Sequence, residues 1–170
     1  MKRIVLLLSF IITVSYCWAQ EGDTAIKPLP PKPIPHYRIL TTDSVWITPD
    51  NLKKGKAVMI VYFSPDCTHC QRMMYELKPK LDALKNIQVV MVTFSRNYDI
   101  RGIREFKRDY DLKKYPNIVL GTEGYTMLVQ QYYAIRTTPF IAFYKSNGQW
   151  AKYIDKVPKT EDILSAAKML

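Results

Sequence analysis

Cysteine and histidine are both scarce in this chain, three and two residues respectively among 170. Three cysteines are too few for the disulfide framework that staples a small exported domain. The histidines, at positions 36 and 69, cannot join so few thiols in a credible structural zinc site, which takes four ligands, commonly as two separated pairs. A long apolar run is missing as well. The stretch at residues 4–14 falls short of the about 20 apolar residues that a membrane span needs. No aromatic-basic stripe accompanies the surplus of lysine and arginine, so the charge does not mark a nucleic-acid surface. There is no internal repeat and no sign of a second domain.

What the chain does have begins with a leader. Lys2 and Arg3 precede the apolar run, and Cys17-Trp18-Ala19 ends in a small residue before Gln20 and Glu21. That layout predicts a secretory signal peptide over residues 1–19, cleaved after Ala19. An uncleaved anchor is the alternative, because Tyr16 and Trp18 are bulky near the cut. A lipoprotein site at Cys17 fits less well, with Tyr16 where a small residue is wanted. Cleavage removes Cys17 and leaves Cys67 and Cys70 alone, three positions apart. A pair so close cannot staple distant segments and reads as chemistry rather than scaffolding. The net charge of +10 falls to +8 once Lys2 and Arg3 are lost, and the lysines are spread along the chain.

Residues 20–36 carry Pro28, Pro30, Pro31, Pro33 and Pro35, which exclude a helix or a central strand and predict an extended spacer. The remainder, 37–170, is expected to form one α/β domain. Short strands are expected at 37–41 and 45–47, then a turn of helix capped by Thr48 with Pro49 at its start. Residues 56–63 and 87–94 are continuous apolar runs rich in β-branched residues, as in strands buried on both faces. Between them Met73, Met74, Leu77, Leu81 and Leu84 recur at helical spacing, with a kink expected at Pro79. Ile100, Ile103, Phe106 and Tyr110 mark a second helix. A short strand at 117–120 and a helix at 126–133 follow. Strands at 140–144 and 150–154 are joined by an Asn147-Gly148 turn. Thr160 is read as the cap of a last helix.

The run Ser64-Pro65-Asp66-Cys67-Thr68-His69-Cys70-Gln71 joins a buried strand to a helix. Free N–H groups at that junction favour a thiolate, the reactive form of cysteine. Cys67, at the exposed end, is the expected nucleophile. Cys70, one turn on, is the expected resolving thiol, able to release a mixed-disulfide partner. A charged His69 would stabilise the thiolate, whereas Asp66 would oppose it. Copper(I) binding by the two thiolates is a rival reading, and haem attachment is excluded because Gln71, not histidine, follows Cys70.

The segment 57–84 with its Cys-Thr-His-Cys pair, taken with Tyr133-Ala134-Ile135-Arg136-Thr137-Thr138-Pro139-Phe140, resembles the thioredoxin superfamily. More narrowly it is similar to the exported redoxins of the TlpA/ResA type, over residues 37–170. The resemblance implies a thioredoxin-like fold: a central mixed sheet flanked by helices, here with an N-terminal β extension. It also implies that Pro139 is cis and packs against the active-site disulfide, and that Thr138 offers its backbone to the substrate chain. Two departures matter. Val61 stands where thioredoxins proper place a buried acid, and Asp66 replaces the aromatic residue before the first cysteine. Thr68 stands where the DsbA-like oxidants have proline. A peroxiredoxin is disfavoured, since Ser64 fits that pattern but Ile60 does not.

The expectation is a periplasmic or otherwise exported thiol–disulfide oxidoreductase, with Cys67 and Cys70 catalytic, Thr138 and Pro139 shaping the substrate groove, and His69 and Asp66 tuning the potential. The disulfide carries the two electrons, so no cofactor and no metal is called for. Partners implied by the resemblance are cysteine-containing exported proteins and a membrane-bound thiol redox donor. A reductant is favoured over a DsbA-like oxidant or isomerase.

Overall fold

The apolar strands come first, because they place everything else. In the computed structural model, which describes residues 31–170, Val58–Tyr62 (β3) is buried at every position, and Gln88–Thr93 (β4) at all but the first. Alternate residues of β3 face opposite layers: Met59 and Val61 join one cluster, Val58, Ile60 and Tyr62 the other. A strand covered on both sides cannot show polar alternation, which is why its sequence reads as one apolar run.

β3 pairs in parallel with β4, and β4 in parallel with Ile118–Thr122 (β5). Phe140–Tyr144 (β6) runs antiparallel to β3, and Trp150–Ile154 (β7) antiparallel to β6. On the far side Ile39–Thr41 (β1) pairs antiparallel with β5, and Trp46–Ile47 (β2) with β1. The seven-stranded sheet has the order β2-β1-β5-β4-β3-β6-β7, a thioredoxin-like mixed sheet with an N-terminal β extension. Gly148, with φ of 80°, makes the turn between β6 and β7, a backbone state that L side chains rarely adopt.

Three helices cover one face. Thr68–Leu77 (α1) buries Cys70, Met73, Met74 and Leu77, Arg101–Asp109 (α2) buries Ile103 and Phe106, and Thr160–Lys168 (α4) buries Ile163 and Ala166. Each fully buried aliphatic or aromatic side chain contributes about 1.5–3 kcal/mol of transfer free energy, so this stripe fixes α1 on the sheet. Pro79 does more than kink the helix. α1 closes at Leu77, and residues 78–84 continue as a 3₁₀ helix that still buries Leu81 and Leu84. The other face carries shorter pieces: Leu128–Tyr133 (α3), a 3₁₀ turn at Pro49–Asn51, and the segment leading into β1.

Several boundaries differ from the sequence expectation. β5 runs two residues further than 120. Its neighbouring helix starts at Leu128 rather than 126, because Met127 takes a left-handed conformation. Thr160 is not the cap of α4. It is the first helical residue and is buried, with Lys159 in the cap position and no capping side chain. The Thr48 cap is present, its hydroxyl accepting from Asp50 N–H while the Asn51 side chain accepts from Thr48 N–H.

Residues 31–36 form no helix or strand, and they lie against the domain: Pro35 is buried and Ile34 packs on the core. The packed body therefore reaches back beyond Tyr37. The signal peptide expected at 1–19 and the part of the expected spacer at 20–30 lie outside the described residues.

Candidate active site

Both cysteines sit where β3 hands over to α1, at the carboxyl edge of the parallel strands. Cys67 N–H donates to the Ser64 carbonyl at 3.1 Å, which closes the turn, and Gln71 N–H donates to the Cys67 carbonyl at 2.9 Å. The Gln71 side chain returns to the Pro65 carbonyl at 2.8 Å, and the Tyr110 hydroxyl from the end of α2 donates to the Gln71 carbonyl at 3.0 Å. Cys67 occupies the cap position of α1 and no side chain caps that end. The first-turn N–H groups are thereby left for a negative charge.

The two thiols are free and their surroundings differ. Cys67 is half-buried, whereas Cys70 is fully buried in the core beneath it. Partial burial raises the Cys67 thiol, but hydrogen bonding with the Thr138 side chain and with the backbone of Cys70 and His69 outweighs it, leaving the thiol below its ordinary value. Burial dominates at Cys70 and pushes its thiol up to about 12. One cysteine is thus prepared to ionise and the other to keep its proton.

The β3–β6 register explains the third partner. Tyr62 pairs with Phe140, so the residues just before Phe140 lie beside those just after Tyr62. The Thr138–Pro139 peptide bond is cis, Pro139 is buried, and the Cys67 thiol reaches the Thr138 carbonyl at 3.5 Å. Cys67, Cys70, Thr138 and Pro139 therefore form one site. His69 and Asp66 are also there in sequence, but their side chains are exposed, and His69 takes part through its backbone.

One acid at the same edge of the sheet escapes a reading by sequence. Glu123 follows β5 directly and is fully buried. Its Oε2 accepts from Val129 N–H at 2.8 Å, while Oε1 has no hydrogen-bond partner. Burial raises its pKa against the lowering effect of Val129 N–H and the Tyr62 side chain. Tyr62 and Val129 belong to the layer opposite α1, whereas Val61 faces α1, so Glu123 does not take the place of an acid at position 61. The only hint in the sequence is an acid directly after a short apolar strand.

A cleft of about 460 Å³ lies elsewhere, lined by Tyr37, Leu52, Lys53, Gln88 and Lys114 among others, and none of the four site residues borders it.

The model of the thioredoxin-like domain matches residues 50–156, which include both cysteines and the Thr138–Pro139 bond. The chain belongs to the thioredoxin-like family. It is 26% identical over 106 residues to a protein disulfide-isomerase of Ricinus communis, a match that takes in 62% of this chain and 21% of that protein. The chain thus spans about a fifth of that relative's length. Solved structures share the fold at lower identity. A secreted disulfide oxidoreductase of Mycobacterium tuberculosis, described as homologous to E. coli DsbE, superposes with a TM-score of 0.66 at 15% identity, over 79% of this chain and 96% of the other. A thiol:disulfide interchange protein of Chlorobium tepidum gives a TM-score of 0.61 at 18% identity, covering 84% and 97%.

Proposed function

We propose that this protein is a thiol–disulfide oxidoreductase that reduces disulfides of exported proteins, with Cys67 as nucleophile and Cys70 as resolving thiol. The observation that carries the reading is the contrast between the two sulfurs: Cys67 half-buried at an uncapped helix start, Cys70 fully buried one turn on. The Cys67 thiolate attacks one sulfur of the substrate disulfide and the other sulfur leaves as a thiolate that takes up a proton. Cys70 then loses its proton and attacks the Cys67 sulfur. The Cys67–Cys70 disulfide forms, the second substrate thiol is released, and two electrons have passed to the substrate. Restoring the dithiol takes two electrons from a thiol donor, for which a membrane-bound redox protein is the proposed partner.

Thr138 and Pro139 form the wall against which the substrate strand lies, the Thr138 backbone being next to the reacting sulfur. Export is supported by the leader expected at 1–19 and by the secreted neighbour in fold; among the described residues no helix is long and apolar enough to cross a membrane. His69 and Asp66 are the proposed tuners of the potential; both side chains are exposed, and His69 also reaches Cys67 through its backbone.

Delivery of electrons rather than their removal is supported by the resemblance to the exported TlpA/ResA redoxins, while the lowered Cys67 thiol works the other way by stabilising the reduced form. The equilibrium potential of the pair tests the direction. Thioredoxin lies near ~−270 mV and DsbA near ~−120 mV, a gap of about 7 kcal/mol. A value close to the first supports reduction of substrates. A value close to the second would reverse the assignment and make the protein an oxidant.

A further inference from the structure

The segment before β1 has prolines at 31, 33 and 35, so those residues have no N–H to give to a sheet. Such a segment cannot pair along a sheet edge and is held largely through its carbonyls, by side chains that donate, and through its side chains. The structure supplies those donors from elements about a hundred residues away. The Pro33 carbonyl accepts from the Tyr132 hydroxyl at 2.7 Å and from the Tyr144 hydroxyl at 3.0 Å. Tyr144 in turn is hydrogen-bonded to the Tyr133 hydroxyl, so two fully buried phenols end their polar chain on this one carbonyl. Lys32 reaches back over the Tyr132 ring, 4.8 Å from its centre, and donates to the Tyr132 carbonyl. Ile34 packs on the same cluster and Pro35 is buried.

Tyr132 and Tyr133 are the last residues of α3, and the chain runs from them straight to Thr138 and Pro139. The Tyr133 ring also packs on Phe140, 4.9 Å between centres, just past Pro139. The loop beside Cys67 is thus gripped at both ends by a residue that the proline segment touches or orders.

We propose that Tyr132, Tyr133 and Tyr144 form a polyproline-binding site occupied by the chain's own residues 31–36, and that this occupancy positions the Thr138–Pro139 loop for polypeptide substrates. The positioning part rests on the oxidoreductase reading; the binding part does not. The three tyrosines are positioning residues and touch no reacting atom. A polypeptide substrate lies along the Thr138 backbone and depends on the loop, whereas a small disulfide needs only Cys67.

The experiment uses the full chain carrying Tyr132→Phe with Tyr144→Phe, and separately Lys32→Met, a surface change that leaves every buried phenol in place. Backbone order is followed by nitrogen-15 relaxation at Ile34, His36 and Arg136 to Thr138. KM and kcat are measured with a disulfide-bonded protein and with a small aromatic disulfide. Loss of one or two net hydrogen bonds should lower the order parameter in both segments from about 0.85 towards about 0.6 and raise KM for the protein substrate roughly five- to tenfold, with kcat and the small disulfide unaffected. Unchanged order at Ile34 and His36 in both variants would overturn the binding site. Lower order there with no change at 136–138 or in KM would overturn the positioning. A wild-type chain that reduces neither substrate would sink the oxidoreductase reading instead, and the relaxation data would still decide whether the segment holds the loop.

Discussion

The Cys67 sulfur and the Thr138 carbonyl oxygen lie 3.5 Å apart although 71 residues separate them along the chain. The contact exists because β6 returns antiparallel against β3, with Phe140 opposite Tyr62. It places the Thr138 backbone beside the half-buried thiol, while Cys70 lies fully buried in the core.

Cys67→Ser should abolish disulfide reduction while leaving the fold intact, because the residue sits at the rim of the core. Cys70→Ser should retain the first attack and stop there, since no second thiol can release the substrate. The check is a denaturing, non-reducing gel after incubation with a disulfide-bonded protein. A covalent adduct is expected with Cys70→Ser and none with Cys67→Ser. The reverse pattern would exchange the two roles.

Burial of Cys70 also makes stability depend on pH. An unfolded thiol ionises near ~8.5, whereas the folded one is pushed up to about 12. The raised folded value means that the stability gained by keeping the proton is present below the unfolded pKa and is lost as pH rises through the folded one. Reduced wild type should therefore lose stability between those limits by up to about 1.4 kcal/mol per pH unit relative to Cys70→Ala. Urea unfolding at pH 7 and pH 10 measures it. Parallel slopes for the two proteins would mean that Cys70 ionises normally in the fold.

Much of this was legible beforehand where burial leaves one pattern only. β3, β4 and β6 read as apolar runs, and the helical recurrence from Met73 to Leu84 survives the change of helix type at Pro79. The two cysteines announce themselves by spacing and context. The Thr138–Pro139 loop does not, because its nearness to Cys67 is a matter of strand register, and it was found through family resemblance. Glu123 stayed hidden for a similar reason: only the turn into α3 shows that its carboxylate is enclosed. The docking of residues 31–36 had no local signal at all, since its acceptor is a carbonyl and its donors are tyrosines brought together by α3 and β6.

Gly121 is where the N-terminal extension meets the sheet. A Cβ there would lie 2.8 Å from Ile39 Cδ1 and 3.0 Å from the Leu40 carbonyl oxygen. Ile39 is fully buried, and the carbonyl belongs to the backbone of β1, so neither can yield freely. Gly121→Ala should cost about 1–3 kcal/mol, the scale of an overpacked core, and Ile39→Val should recover part of it by removing the Cδ1 contact. Chemical denaturation of the single and double variants tests this. An additive double variant would show that the close approach is not the cause.

Glu123 offers a sign that only a buried carboxyl gives. Its folded pKa is raised by burial, so its protonated form is the one the fold prefers. The associated stability is fully present below the unfolded carboxyl value and lost as pH rises through the raised folded one. Above that, the chain holds a buried carboxylate with one oxygen unpartnered. Glu123→Gln keeps an acceptor for Val129 N–H and removes the charge. It should stabilise the protein at pH 8 by roughly 1–3 kcal/mol, because an unpartnered charge costs more to bury than the unpartnered amide that replaces it, and bring no gain at pH 4. Thermal unfolding at the two pH values provides the comparison. Destabilisation at pH 8 would mean that the carboxylate is satisfied in solution, for instance by the Tyr62 side chain, which already lowers its pKa.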